Sequence, residues 1–331
     1  MAEASFSLLA SAPFVLCLWL LNNVGVTLLN KSAFASVDFN YPYALSVTHM
    51  FWNTLGSVLW LKYNEKKSDI VLPAHSSSSK QSVSFFEKRL SNDQKRAILL
   101  FSLVFSANIA IGNVSLSYVS VNFNQVMRSL VPAVALVTGL LQGKQFSATR
   151  QASVGVVVFG VACSCYGDMS YTSLGFVYTV LCVLLAAGKV VATGEMLTGE
   201  LKMQPIELLA YMAPLALVQC LFMSILTGEA SSIAARWSVD LSPSVSLTPM
   251  LVVTAGALAS FTLNVSSMFA NKMTSPLTLC IAANVKQVLM IAVSTIMFDT
   301  HISALNGFGI TVVLAGSSVY SYVCIVEGQG K

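Results

Sequence analysis

The sequence predicts an all-α integral membrane protein of ten transmembrane helices in two inverted five-helix repeats, and three observations predict it. Of 331 residues, 55% are hydrophobic and only 10% charged, with a mean hydropathy of +0.74, far above that of a soluble domain. Apolar runs of about 20 residues, each able to cross roughly 30 Å of hydrocarbon as a helix, recur along the whole length. Short stretches of the first half also return in the second.

The runs lie near 12–33, 43–62, 97–117, 121–142, 151–167, 171–196, 206–228, 246–269, 275–298 and 303–325. The first carries Lys31 at its far end and is too long for a cleaved signal; the residues before it lack the Arg- and Ser-rich character of a transit peptide, which weighs against a plastid or mitochondrial membrane. The second holds His49 and Asn53 one turn apart, a pair expected to hydrogen-bond between helices. Residues 63–96 form the one long connection, whose serine tract and mixed charge predict a mobile loop. The junctions near 118–121 and 270–275 are tight enough to make their flanking helices adjacent hairpins.

The fourth run contains NFNQVMRSLVP. Pro132 has no amide hydrogen for the carbonyl of Arg128, so the helix should bend there. Gln125 stands one turn before Arg128 on the same face, and Asn122 and Asn124 add polarity, giving a stripe able to read hydroxyls or a base. Gly139 and Gly143 in GLLQGKQ read as helix packing, because a phosphate-binding loop needs one more residue and a Ser or Thr after the lysine. The fifth run closes the first repeat, 1–167. The second repeat, 168–331, carries Lys189 and Glu195 in its first helix, Asn264 in its third and Lys286–Gln287 in its fourth.

The repeat rests on two echoes. NVSLSY at Asn113 returns as NVSSMF at Asn264, and GVVVFGVACSCY from Gly155 resembles GITVVLAGSSVY from Gly309. Five helices is an odd number, so the second copy enters the membrane from the opposite side; proteins built this way place a substrate near the midplane between the halves. Charge gives the orientation. Thirteen of eighteen Lys and Arg fall in alternate connections, eight of them between Lys62 and Arg96, whereas Arg236 falls in a connection on the other side. Both termini and the long loop are therefore expected to be cytoplasmic.

Four cations remain in the runs: Lys31, Arg128, Lys189 and Lys286. A cation at the centre of a membrane helix costs about 2.5–3.5 kcal/mol even on the lenient insertion scale, so it needs a wet cavity or a partner. Arg128 and Lys286 sit mid-run in matching helices, and the interior acid is Glu195, with Asp299 at a helix end. Either these cations pair with Glu195 and helix termini inside the protein, or a substrate anion completes them. A guanidinium fork beside a lysine point charge suits phosphate or pyrophosphate. Lys31 lies near the interface and can snorkel. The three histidines make no metal cluster, the seven cysteines suggest neither metal site nor disulfide framework, and no nucleophile elbow occurs, so neither enzyme, metal nor cofactor is expected.

At this level of detail the chain resembles the nucleotide-sugar and triose-phosphate transporters of the drug/metabolite transporter superfamily. NKSAF with FNYPYALSVTHM is similar to that family's first hairpin, GNVSLSYVSVNFNQVMRSLVPA to its third and fourth helices, and PLTLCIAANVKQVLMI to its ninth. The resemblance implies ten helices in two inverted repeats and exchange of phosphorylated solutes by alternating access. Plastid phosphate members grip phosphate with a fourth-helix lysine, where this chain has Arg128, and carry a Lys-Arg pair in the ninth helix, where it has Lys286 and Gln287. AANVK is closer to the Ala-Gly-Asn-Leu-Lys run of endomembrane carriers than to the Gly-Ala-Leu-Asn-Lys of GDP-mannose carriers, which favours a UDP-sugar.

The resemblance thus implies a Golgi or ER antiporter of a nucleotide sugar against nucleoside monophosphate. Arg128 and Lys286 would hold the phosphates, and Gln125, Asn124, Asn264, Gln287, Lys189 and Lys31 complete the candidate binding residues. Its partners would be a phosphorylated small molecule, the lipid bilayer and, as an assembly to consider, a second copy in a homodimer; nucleic acid is not among them. A triose-phosphate or phosphoenolpyruvate carrier and a non-transporting receptor or scaffold remain open as alternatives.

Overall fold

A computed structural model describes residues 12–71, 90–143, 145–168, 171–198, 203–273 and 276–329. The centre of the predicted 63–96 loop, Lys144, Lys202, Lys331 and the side chains of Glu195, Lys272 and Cys280 lie outside the described residues. The loop's edges are helical, because helix α2 runs on to Val71 and α3 starts at Asn92.

Every predicted run forms helix. They are α1 (Ala12–Ala35), α2 (Pro42–Val71), α3 (Asn92–Tyr118), a broken helix of α4 (Val121–Arg128) and α5 (Val131–Leu141), α6 (Ala148–Gly167), α7 (Ser173–Thr198), α8 (Pro205–Leu226), α10 (Thr248–Met273), α11 (Pro276–Met297) and α12 (Ala304–Gln329), with a short α9 (Glu229–Arg236) between α8 and α10. Eight are long and apolar enough to cross a membrane among the described residues: α1, α3, the α4–α5 unit, α6, α7, α8, α10 and α12. The exterior is apolar, with Leu141 and Ile296 each 84% exposed, as lipid contact requires. The protein is a multi-pass membrane protein.

Local chemistry sets the helix ends. Ser91 and Gln94 form a reciprocal capping box at the start of α3. Only Val119 and Ser120 separate α3 from α4, and the Ser120 hydroxyl accepts from the Phe123 amide, so the hairpin closes as tightly as its sequence predicts. The break in the fourth helix falls at Ser129–Leu130, ahead of Pro132. The Ser129 and Leu130 amides turn back to the carbonyls of Val126 and Met127, at 3.1 and 3.0 Å, and Pro132 enters the first turn of α5, where its missing amide hydrogen costs nothing. Gly143 is not a packing glycine: it lies beyond the end of α5 at φ +78° with nothing near it, a left-handed position that favours glycine.

The helices pack in pairs across the chain. α1 lies on α10, α3 on α7, α2 on α8, α6 on α12, and α4 on α11; α10 also meets α2, and α3 also meets α8. The α6–α12 contact is close enough that a Cβ on Gly309 would stand 2.3 Å from the Ser164 nitrogen. One apolar cluster joins α2, α3 and α8 through Met50, Phe101, Phe105 and Leu209; another joins α4, α6, α7, α11 and α12 through Phe123, Val157, Val183, Ile291 and Val313.

The connection from 227 to 247 carries structure of its own in α9. Glu229 of α9 accepts from the amides of Tyr43 and Ala44 at the start of α2, at 3.2 and 2.7 Å. Burial pushes the Glu229 carboxyl up, and these two amides oppose that shift. Arg236 binds Asp240, the Asp38 carboxylate at 3.1 Å and the Asp38 carbonyl at 3.0 Å, tying α9 to the α1–α2 turn.

Candidate functional site

Arg128 is the last residue of α4, where the chain breaks, so its side chain leaves a helix C-terminus whose dipole favours a cation. The guanidinium extends between α3 and α7. Its Nη2 lies 3.4 Å from Cys182 Sγ, and Nε is buried without a partner. Room for it comes from Gly112: a Cβ there would stand 2.9 Å from Nη2. Gly112 opens the GNVSLSY stretch, but what it and Cys182 do for Arg128 emerges only from helix packing.

Two cavities meet at this residue. One, of about 210 Å3, is lined by Asn30, His49, Asn113, Asn264 and Lys189 among others; the second, of about 380 Å3, is lined by Lys286, Gln287, Ser129, Pro132 and Tyr320 among others. Gln125, Arg128, Asn23 and Thr27 belong to both. Arg128 therefore stands between Lys189 and Lys286, close enough for its charge to act on each. Among the described residues no carboxylate pairs with any of the three. Lys189 has instead the Phe105 ring, with Nζ 4.1 Å from its centroid. Such a cluster repels itself and attracts a multivalent anion.

The remaining candidates divide. Gln125 reaches both cavities, and its carbonyl accepts from the Ser129 hydroxyl. Gln287 lines the second cavity while its Nε2 donates to Ser129 Oγ at 2.5 Å, which fastens α11 to the helix break. Asn264 lines the first cavity and donates to Asn53 Oδ1 at 2.6 Å. Asn53 makes the bond between helices by donating to Ser260 at 3.3 Å, and the neighbouring His49 leaves its Nε2 without a partner. Asn124 borders the first cavity but is buried, with its amide on Ser115 at 3.0 Å. Asn122 turns away and holds Thr295 at 2.8 Å.

Lys31 is not brought to either cavity. Its ammonium donates to the carbonyls of Leu116 and Val119, at 3.0 and 2.9 Å, and caps the end of α3.

The Triose-phosphate Transporter family matches residues 10–321. The Arabidopsis thaliana "UDP-galactose transporter 1" is 30% identical over 302 residues, covering 91% of this chain and 83% of that protein. The "GDP-mannose transporter GONST5" of the same plant is 29% identical, covering 91% and 82%. A "Probable sugar phosphate/phosphate translocator", also from Arabidopsis thaliana, is 25% identical, covering 90% and 82%. One solved crystal structure superposes with a TM-score of 0.54 at 12% identity, covering 92% of this chain and 96% of its own, a likeness of fold.

Proposed function

The chain belongs to the Triose-phosphate Transporter family and is a membrane transporter, not an enzyme; from that premise we propose that it exchanges a nucleotide sugar for the nucleoside monophosphate across an endomembrane, by alternating access. The observation that carries this reading is the trio of cations, Arg128, Lys189 and Lys286, that no described carboxylate pairs, around two joined cavities. A half-buried charge with no described counter-charge is costly at membrane depth, and a diphosphate supplies that counter-charge along with oxygens for the guanidinium fork. Arg128 and Lys286 hold the phosphates, Gln125 and Gln287 orient the ligand from the helix break, and Asn264 and Asn124 face the sugar. Lys189 balances the remaining charge. The similarity to a UDP-galactose transporter, together with AANVK in the ninth predicted helix, supports a UDP-sugar.

Ten crossings in two inverted halves, 1–167 and 168–331, belong to the same reading, with α2 and α11 as the ninth and tenth spans. The packing supports it. Exchanging α1 with α7, α2 with α8, α3 with α10, α4–α5 with α11 and α6 with α12 turns the α1–α10 pair into α7–α3 and the α2–α10 pair into α8–α3. It returns α2–α8, α4–α11 and α6–α12 to themselves. The distribution of Lys and Arg supports cytoplasmic termini in a Golgi or ER membrane.

Similarity to sugar phosphate/phosphate translocators favours a second reading, exchange of small organic phosphates. Melting the detergent-solubilised protein against nucleoside monophosphates, UDP- and GDP-sugars, triose phosphate and inorganic phosphate separates the two. Stabilisation by uridine nucleotides is the expected result; stabilisation by small phosphates alone overturns the nucleotide-sugar reading.

A further inference from the structure

The two cavities that meet at Arg128 differ in chemistry. The smaller one is walled by carboxamides whose NH2 groups turn into the protein: Asn30 donates to Asn113 at 3.0 Å, Asn124 to Ser115, Asn264 to Asn53, and Asn23 to the Trp19 carbonyl at 2.9 Å. Two polar atoms in this wall, Asn30 Oδ1 and His49 Nε2, are buried with no partner. They converge over Gly256, 3.5 and 3.7 Å from where its Cβ would lie. Buried polar atoms are rarely left unpaired. A group that both donates to Asn30 Oδ1 and bonds the imidazole nitrogen satisfies them, and a sugar hydroxyl does both. A phosphate oxygen offers no donor for Oδ1.

The larger cavity contains one aromatic side chain among its described lining residues, Tyr320. In the smaller cavity the Phe105 ring is already covered by the Lys189 ammonium. Tyr320 is held in place: Arg150 Nη2 donates to its hydroxyl at 3.2 Å, and the guanidinium carbon sits 5.5 Å from the ring centroid. Arg150 is itself fixed by the Phe146 ring at 4.8 Å and by Glu327 at 3.8 Å, and Ser147 bonds Glu327 as well. This cluster makes no use of the cavity, and its arrangement leaves a rigid ring in the cavity wall.

We propose that the cavities read opposite ends of one ligand, the amide cavity taking the sugar and Tyr320 stacking the nucleobase, with the phosphates at Arg128 and Lys286 between them. The assignment rests on the nucleotide-sugar reading and adds a direction: the base lies toward the side where Ser147 meets Glu327, and the sugar toward the side where Lys31 meets Val119. Arg150 is then a positioning residue that acts through Tyr320.

Titrating the purified protein with a nucleoside monophosphate, a sugar 1-phosphate, inorganic phosphate and the nucleotide sugar tests it. Stacking on an aromatic side chain is commonly worth about a 5- to 100-fold change in affinity, so Tyr320→Leu should weaken the nucleoside monophosphate by that factor and leave the sugar 1-phosphate and inorganic phosphate within about twofold. Tyr320→Phe keeps the ring and most of the affinity. Arg150→Met should weaken the nucleotides severalfold without changing phosphate affinity, a split that a general loss of structure does not produce. His49→Phe removes an unpartnered nitrogen and should weaken the sugar 1-phosphate and nucleotide sugar while sparing the nucleoside monophosphate. Should Tyr320→Leu not fold, His49→Phe and Arg150→Met decide the matter. Equal weakening of all ligands by Tyr320→Leu, unchanged nucleotide affinity, or a loss of nucleoside monophosphate in His49→Phe overturns the assignment alone. If no nucleotide binds the unmodified protein, the nucleotide-sugar reading falls, and the assignment with it.

Discussion

Replacing Arg128 with alanine separates a binding cation from a structural one. In the structure the guanidinium meets Cys182 Sγ through Nη2 at 3.4 Å, its Nε is unpaired, and no described carboxylate neutralises it. The group therefore gives the empty protein little. Its removal relieves repulsion with Lys189 and Lys286 and leaves a gap beside Gly112 that adjoins existing cavities. Bound to a phosphate, the same fork makes two charge-assisted bonds of about 1.5–3 kcal/mol each, so Arg128→Ala should lose about 3–6 kcal/mol of binding. At about 1.4 kcal/mol per decade this is roughly a 100- to 10,000-fold rise in Kd. The assay is ligand titration by calorimetry, with melting of the empty protein alongside. A Kd within threefold of the unmodified protein refutes the phosphate assignment. Equally damaging would be a fall in unliganded stability of about 3–5 kcal/mol, the signature of a broken buried ion pair.

Other perturbations sort the remaining residues. Lys286→Ala should abolish exchange in proteoliposomes while the purified protein keeps its elution profile and melting temperature. Lys31→Met removes two charge-assisted bonds to the end of α3 and should lower stability by about 2–4 kcal/mol with little change in ligand Kd, read by melting and titration together. Gly309→Val drives a side chain into the α6 backbone and should destabilise by at least about 1–3 kcal/mol in a thermal melt. Outside the membrane, Arg236 holds the Asp240 carboxyl below its ordinary value of 3.8, so that contribution is present above this pH and is lost as pH falls through the lowered value. Arg236→Gln should therefore flatten the acid limb of melting temperature against pH.

Lipid makes much of this fold legible in the sequence. Each span must satisfy its own backbone and present apolar side chains, so helix positions follow from hydropathy and the tight junction at 119–120 follows from spacing. The break in the fourth helix is legible in Pro132, but its register is not: a turn at Ser129–Leu130 lets the proline start the next helix, an outcome set by the bonds from Ser129 and Leu130. Of the site, the interior cations stand out because charge at membrane depth is expensive. What Lys31 does depends on where α3 ends, and the space for Arg128 depends on a glycine and a cysteine from two other helices. The amide cavity and the hold of Arg150 on Tyr320 join residues 83 to 211 positions apart, beyond the reach of any local pattern. The short α9 hides in a connection whose charges read as topology signals yet bind Asp38 and the start of α2.

The most direct test of the central claim is uptake of labelled UDP-sugar into proteoliposomes containing the purified protein and preloaded with different counter-substrates. Internal uridine monophosphate should accelerate uptake strongly, internal inorganic phosphate should not, and Lys286→Ala should remove the effect. Uptake driven equally well by internal inorganic phosphate or triose phosphate, or no uptake against any counter-substrate, would contradict nucleotide-sugar exchange.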